Sequence, residues 1–258
     1  MNTRHTSLKQ LASQRALLGF LQTQASLPLA ELAAICGYDF LMLDCEHGFF
    51  TEQDVLQTIQ VSQSSSAFVL VRILGHDTRA IGRLLDMGVD GVIVPDVSSV
   101  DQAKVLVRAM EYPPIGIRGF GAAAHRSTRY GLDTAEHLQS PRGGGALLIV
   151  IIESARGIEN VQEILAVEGV DGALLGPSDL SGSLGGIGNF SDPAYIEALH
   201  RFECAASKKG RLFGTGPHPG HPLEALLARG HRLIILSTDM PLIREALTSQ
   251  ITRAKSLF

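Results

Sequence analysis

A repeated rhythm constrains this chain more than any single residue. Eight short apolar runs recur along its 258 residues: Leu17–Phe20, Phe40–Asp44, Phe68–Arg72, Gly91–Pro95, Leu147–Ile152, Ala173–Gly176, Leu212–Gly214 and Leu233–Leu236. Amphipathic stretches lie between most of them: Leu29–Cys36, Asp54–Gln63, Thr78–Met87, Val100–Met110, Ile158–Ala166, Pro193–Lys209, Pro222–Arg229 and Pro241–Ser256. Unbroken apolar runs of this length suit strands buried on both faces, the environment of a parallel sheet. Helix-start chemistry agrees: Thr51 before Glu52 and Asp54, Asp77 before Thr78, and Ser191-Asp192-Pro193. Gly37, Gly88, Gly210 and Gly230 stand where helices would stop. The alternation predicts an α/β fold, a (β/α)8 TIM barrel occupying residues 1–258 as one domain. An open doubly wound sheet is the rival. It would usually carry a nucleotide fingerprint after its first strand, and GFLQTQAS is not one.

Composition removes several classes of function. With 19% charged residues and a net charge of −4, no basic face is implied, and nucleic acid is not an expected partner. Cys36, Cys45 and Cys204 are widely spaced and form no CxxC pair, which reads as a reduced, cytoplasmic protein. Cys45 lies beside candidate site residues but reads as a packing residue. The N-terminal MNTRHTSLKQLASQRALLGF scatters charge through its length and is not a signal peptide. The run Ala146–Ile152 is far too short to cross a bilayer, so no membrane association is expected.

Parallel strands joined through helices place their C-terminal ends on one rim, and chemistry is expected there. Glu153 and Asp179 each follow an apolar run; two hard oxygen ligands on one rim can share a divalent cation or simply face solvent. The second strand ends in LMLDCEHG, giving Asp44, Glu46 and His47, the last a base, a metal ligand or a capped surface histidine. Arg72 closes VLVR. It can hold a carboxylate or an enolate oxygen, or pair structurally with an acid such as Asp44. Asp86 sits near a helix C-terminus, where a carboxylate is disfavoured, and so hints at a partner, perhaps a histidine, or is an exposed helix-end acid. Gly176-Pro177-Ser178 lets backbone N–H groups approach a ligand, with Ser178 the candidate binder of a carboxylate or carbonyl. The segment Tyr112–Gly145 breaks the rhythm. It holds GIRGFG, which reads as a lid rather than a cofactor loop, the polar AAAHRSTRYG with His125, Arg126, Ser127 and Arg129, and PRGGG. His218 and His221 lie in a loop and read as surface histidines rather than metal ligands.

These residues in this order resemble the HpcH/HpaI aldolase family, the class II pyruvate aldolases. The resemblance is carried by AAICGYDFLMLDCEHG, VRI, LLDMGVDGVIVPDV, YPPIGIRGFG, VIIES and EGVDGALLGPSDLSGSLG. It implies a phosphoenolpyruvate/pyruvate-domain-like barrel whose C-terminal helix packs on a neighbouring subunit, in dimers that assemble into a homohexamer. It implies Mg²⁺, Mn²⁺ or Co²⁺ held by Glu153 and Asp179, and a small 2-oxo acid as substrate. Arg72 matches the enolate-stabilising arginine, His47 the base, and Asp86 the carboxylate that raises its basicity. Gly176, Pro177 and Ser178 match the stretch that binds the substrate carboxylate. The implied reaction is cleavage of 4-hydroxy-2-oxo acids to pyruvate and an aldehyde through a metal-stabilised enolate. No Schiff-base lysine is needed, and no strand end carries one. Two departures stand out. Ile151 occupies a substrate-binding position where the family usually has Gln, and AAAHRSTRYG is more basic than its equivalent, which implies a more anionic acceptor. Both are compatible with a branch of the family that makes citrate from oxaloacetate and acetyl-CoA in siderophore biosynthesis. A non-catalytic 2-oxo-acid-binding protein is the reading from a different class.

Overall fold

A computed structural model describes residues 7–63, 65–121, 123–140, 142 and 145–258. Ala122 of AAAHRSTRYG, and Pro141, Gly143 and Gly144 of PRGGG, lie outside the described residues, as do the first six residues. The strands are β1 (Leu17–Gln22), β2 (Phe40–Asp44), β3 (Phe68–Arg72), β4 (Gly91–Val94), β5 (Leu147–Ile152), β6 (Gly172–Leu175), β7 (Leu212–Thr215) and β8 (Leu233–Thr238). Each pairs parallel with the next, and β8 returns to β1, closing the barrel. The helices are α1 (Leu8–Gln14), α2 (Leu27–Ile35), α3 (Glu52–Ser62), α4 (Thr78–Met87), α5 (Val100–Met110), α6 (Thr134–Gln139), α7 (Ala155–Glu159), α8 (Val161–Ala166), α9 (Pro177–Ser183), α10 (Pro193–Lys208), α11 (Leu223–Ala228) and α12 (Asp239–Lys255).

Strand geometry divides the core in two. On β5, Leu147, Ile149 and Ile151 join an inner cluster with Met42, Leu70 and Leu174, while Leu148, Val150 and Ile152 pack outward against the helices. Both faces are buried, so the strand shows no polar alternation. Leu8 and Ala12 of α1 join the inner cluster beside the first residues of the strands, so this helix plugs the N-terminal end of the barrel. Ser7 and Gln10 start it with a reciprocal capping box.

Three differences from the sequence-based expectation bear on function. Ile158–Ala166 is not one helix: Asn160 leaves helical geometry (φ −101°, ψ 6°) and its side chain donates to Ser98 O at 2.9 Å, dividing α7 from α8. Asp179 does not simply follow a strand but lies in the first turn of α9, which Gly176 opens. The segment Tyr112–Gly145 links α5 to β5, not a strand to a helix, and therefore belongs to the end of the barrel opposite the strand C-termini. It contains α6 and a 3₁₀ turn, Arg126–Thr128.

The last helix stands apart. Asp239 begins α12 buried, accepting from Thr23 N at 2.8 Å, Thr23 Oγ1 at 2.7 Å and Gln24 N at 2.9 Å, which ties β8 to the end of β1. Beyond it the helix is exposed, and Ile243, Leu247 and Ile251 repeat at helical spacing on its surface.

Candidate active site

The period of two that buries the inner cluster also delivers charge to the rim. Above Phe40 and Met42 on β2 comes Asp44; above Leu70 on β3 comes Arg72; above Ile149 and Ile151 on β5 comes Glu153. Asp44 and Arg72 are register partners across β2 and β3. The guanidinium donates from Nε to Asp44 Oδ1 at 2.9 Å and from Nη2 to Oδ2 at 2.6 Å. Its Nη1 lies 3.3 Å from Glu46 Oε2. Asp44 Oδ1 also accepts the backbone N–H groups of Glu46 and His47, both at 3.1 Å. One buried carboxylate thus fixes both the arginine and the turn that carries the histidine. Burial works to raise the Asp44 carboxyl, but the Arg72 fork and the two N–H donors outweigh it and hold it below the usual carboxylate range. The ion pair foreseen for Arg72 and its place in the pocket wall are both present.

Glu153 is held by an unusual donor. Asp96 N donates to Glu153 Oε1 at 2.7 Å from a residue with φ 44°, in the left-handed region. On the other side a Cβ on Gly176 would stand 2.4 Å from Glu153 Oε2, so glycine is the residue that leaves the carboxylate its place. The Glu153 carboxyl is pushed up to about 7, first by burial and then by the charges of Asp179 and Glu46; the Asp96 N–H and Arg72 oppose this only in part. Three carboxylates, Glu46, Glu153 and Asp179, thus gather on one rim, and their oxygens are of the hard type that suits Mg²⁺ or Mn²⁺. Among the described residues no group of three or more His, Cys, Asp and Glu forms a complete cage. A cation on Glu153 and Asp179 would fill its remaining positions with water or substrate oxygens, as Mg²⁺ commonly does.

Two cavities meet at this pair of acids. The larger, about 480 Å³, is walled by Arg72, Ile151, Gly176, Pro177, Ser178 and the two carboxylates, over an apolar floor that includes Met42 and Leu174. The smaller, about 250 Å³, is lined by Glu46, His47, Asp96, Glu153 and Asp179. The His47 side chain is 68% exposed, with Nε2 3.8 Å from Glu46 Oε2. His47, Arg72, Ile151, Glu153, Gly176, Pro177, Ser178 and Asp179 are thus brought together on one rim. The family model for HpcH/HpaI aldolase/citrate lyase matches residues 18–246. The chain belongs to that family.

Its relatives agree over most of their length. The chain is 36% identical over 227 residues to a hydroxypyruvate/pyruvate aldolase of Delftia acidovorans, spanning 88% of this chain and 84% of the relative. It is 32% identical over 251 residues to a 2-keto-3-deoxy-L-rhamnonate aldolase of Escherichia coli O1:K1, spanning 96% and 92%. The crystal structure of an HpcH/HpaI aldolase from Desulfitobacterium hafniense DCB-2 superposes with a TM-score of 0.87 at 28% identity, covering 96% of each chain.

Several expected participants lie elsewhere in this family member. Asp86 is not near the rim of its own barrel: α4 starts at the strand C-termini and runs away from them, so its last turn lies at the opposite end. There the carboxylate takes Arg118 Nη2 at 2.8 Å and His125 Nε2 at 3.1 Å. The basic groups of AAAHRSTRYG are likewise occupied: Arg126 donates to Met87 O and Arg129 to Asp133. Cys45, read from the sequence as a packing residue, does pack against the outer core, and burial, with Asp44 and Asp54, pushes its thiol up to about 11, which leaves no thiolate for chemistry at neutral pH. His218 and His221 are not surface groups; they stack 4.6 Å apart, with His218 Nε2 at 2.7 Å from Tyr195 Oη and His221 Nδ1 3.2 Å from Arg229. The residues that the sequence left without a catalytic task are Asp44 and Asp96. Asp44 had one visible signal, its place as the last residue of a strand. Asp96 had none, because its contribution is a backbone N–H.

Proposed function

We propose that this chain is a divalent-metal-dependent class II aldolase, a carbon–carbon lyase that cleaves 4-hydroxy-2-oxo acids to pyruvate and an aldehyde. One observation carries the proposal: a pair of carboxylates, Glu153 and Asp179, is shared by a cavity holding Arg72 and a cavity holding His47. Glu153 and Asp179 are the residues that would hold Mg²⁺, Mn²⁺ or Co²⁺, and the bound cation would supply Lewis-acid polarisation of the 2-oxo group. The Ser178 backbone N–H takes the substrate carboxylate, Gly176 and Pro177 shape the turn that presents it, and Ile151 packs beneath. His47 removes the proton of the 4-hydroxyl. The C3–C4 bond then breaks; C4 leaves as the aldehyde, and the electron pair moves into C2=C3 with negative charge on the C2 oxygen. Arg72, held rigidly by Asp44, faces that charge. Protonation at C3 gives pyruvate.

Asp86 enters this scheme through a neighbouring copy, since its own His47 is at the other end of the barrel. The apolar stripe on α12 supports a homo-oligomer built from dimers, a hexamer by family resemblance, with α12 packed on the neighbour. We place the protein, a single barrel domain, in the cytoplasm. Among the described residues no helix is long and apolar enough to cross a membrane.

The test is direct. The Mg²⁺-loaded protein should release pyruvate from a 4-hydroxy-2-oxo acid, EDTA should abolish this, and added Mg²⁺, Mn²⁺ or Co²⁺ should restore it. His47→Ala should lower kcat by roughly 10²–10⁴. Activity that survives EDTA sinks the metal assignment. Thiol release from acetyl-CoA and oxaloacetate, without pyruvate formation, would replace the aldolase by the condensing enzyme. Binding of 2-oxo acids without turnover would leave a binding protein.

A further inference from the structure

We infer that His76 is a positioning residue for Glu153 and acts on it through one peptide group, the one joining Pro95 to Asp96, an inference that rests on the reading of Glu153 as a metal ligand. His76 follows β3, the Pro95–Asp96 peptide follows β4 and Glu153 follows β5, so the three stand on adjacent connections of one rim. His76 Nε2 lies 2.9 Å from Pro95 O. A carbonyl oxygen only accepts, so Nε2 carries the proton and donates. The N–H of the same peptide unit donates to Glu153 Oε1 at 2.7 Å. The imidazole and the carboxylate thus grip opposite ends of one rigid plane.

The plane has an alternative orientation that the backbone alone would favour. Asp96 sits at φ 44°, a region that a side chain disfavours. Turning the plane over, by rotation about the Pro95 Cα–C and Asp96 N–Cα bonds, returns Asp96 to extended backbone. The flanking chain need not move, since the proline ring fixes φ of Pro95 and Val97 N is tied to Ile151 O at 3.1 Å. The overturned plane would aim the Pro95 oxygen toward Glu153 and take the N–H away, exchanging a charge-assisted bond for a repulsive dipole. It would also break the bond to His76, so His76 holds the plane upright. The place of His76 is itself fixed. Gly75 before it is left-handed (φ 55°), and Asp77 after it caps α4, accepting from Arg79 N at 2.9 Å and Ala80 N at 3.3 Å. Hydrogen bonds in series polarise one another, so donation to the carbonyl also strengthens the N–H that faces Glu153. His76 lines neither of the two cavities that meet at the acid pair. Its influence on the site therefore passes through the peptide.

The experiment titrates Mn²⁺ into the whole protein and reads the free ion by electron paramagnetic resonance, with a urea midpoint for each variant. His76→Ala should raise the Mn²⁺ dissociation constant about tenfold. Saturating Mn²⁺ selects the upright plane, so kcat there should stay within about twofold of the parent. His76→Gln, whose side-chain amide can donate from near the position of Nε2, should recover most of the affinity, and His76→Leu should not. In an Asp96→Gly background the left-handed backbone carries no penalty, and the effect of His76→Ala should shrink to about threefold or less. A residue that served stability alone would move the urea midpoints and leave no contrast between Gln and Leu in metal affinity. Should the Ala variant fail to fold, the Gln and Leu variants carry the comparison. Equal Mn²⁺ affinity in those two, or an Ala effect that Asp96→Gly leaves unchanged, overturns the inference. Glu153→Gln separates it from the reading beneath it. If that variant loses Mn²⁺ while His76→Ala keeps full affinity, the inference alone falls. If Glu153→Gln binds Mn²⁺ as before, the metal reading falls and takes the inference with it.

Discussion

At the residue scale the site turns on Asp44, which is buried and serves two masters: the Arg72 fork and the turn bearing His47. Asp44→Asn preserves the shape but removes the charge that Arg72 requires. Breaking such a pair leaves a buried guanidinium with Glu46 as its remaining partner. Stability should fall by about 3 kcal/mol, seen as a lower urea midpoint, and kcat/KM should fall by roughly 10²-fold at saturating Mg²⁺. A variant that kept both would show that Asp44 orients nothing. Much of this rim was legible in the sequence. A charged residue that ends an unbroken apolar run is conspicuous, and Arg72 and Glu153 could be named on that ground; His47 and Asp179 were named as polar residues a few positions beyond such a run. Which way Arg72 would turn was not legible, because its pairing depends on the register of β2 against β3. Asp86 misled for a different reason. A helix-end acid without an obvious partner is visible in sequence, but its partners come from a connection of irregular structure, in Arg118 and His125.

At the element scale the junction between β6 and α9 does the positioning. Gly176 ends the strand, opens the helix and clears the space that Glu153 occupies. Gly176→Ala would drive a methyl group into the carboxylate, so affinity for Mn²⁺ should drop by about 10–100-fold, measured by metal titration, with circular dichroism unchanged. Unaltered metal affinity would mean that Glu153 is not a ligand. The strands were predicted to within a residue or two because burial on both faces leaves an apolar signature that needs no partner to read. Three of the short helices were not. α1, α6 and α9 span about two turns or fewer, too little for a helical period to stand out, and PSDLSGS is rich in residues that favour turns. The break at Asn160 was equally hidden, since it answers to Ser98, far away in sequence.

At the scale of the whole molecule, the closed barrel satisfies every strand edge, and the conspicuous unsatisfied surface is α12. Leu247 and Ile251 are 61% and 52% exposed. Replacing both by Glu should lower the molar mass measured by light scattering, with the barrel still folded. An unchanged mass would show that this helix does not hold the assembly together. The barrel itself was legible from the alternation alone, whereas the exposure of α12 was not, because its apolar spacing matches that of helices packed on the barrel. The smaller cavity has one more consequence. Glu46 and Asp96 come from the connections after β2 and β4 and belong to neither hydrophobic cluster. A library that varies Glu46 freely, and Asp96 only among Asn and Gly that accept its left-handed backbone, would change the charge beside the metal pair while leaving both hydrophobic clusters untouched, so most of its members should remain folded and screenable.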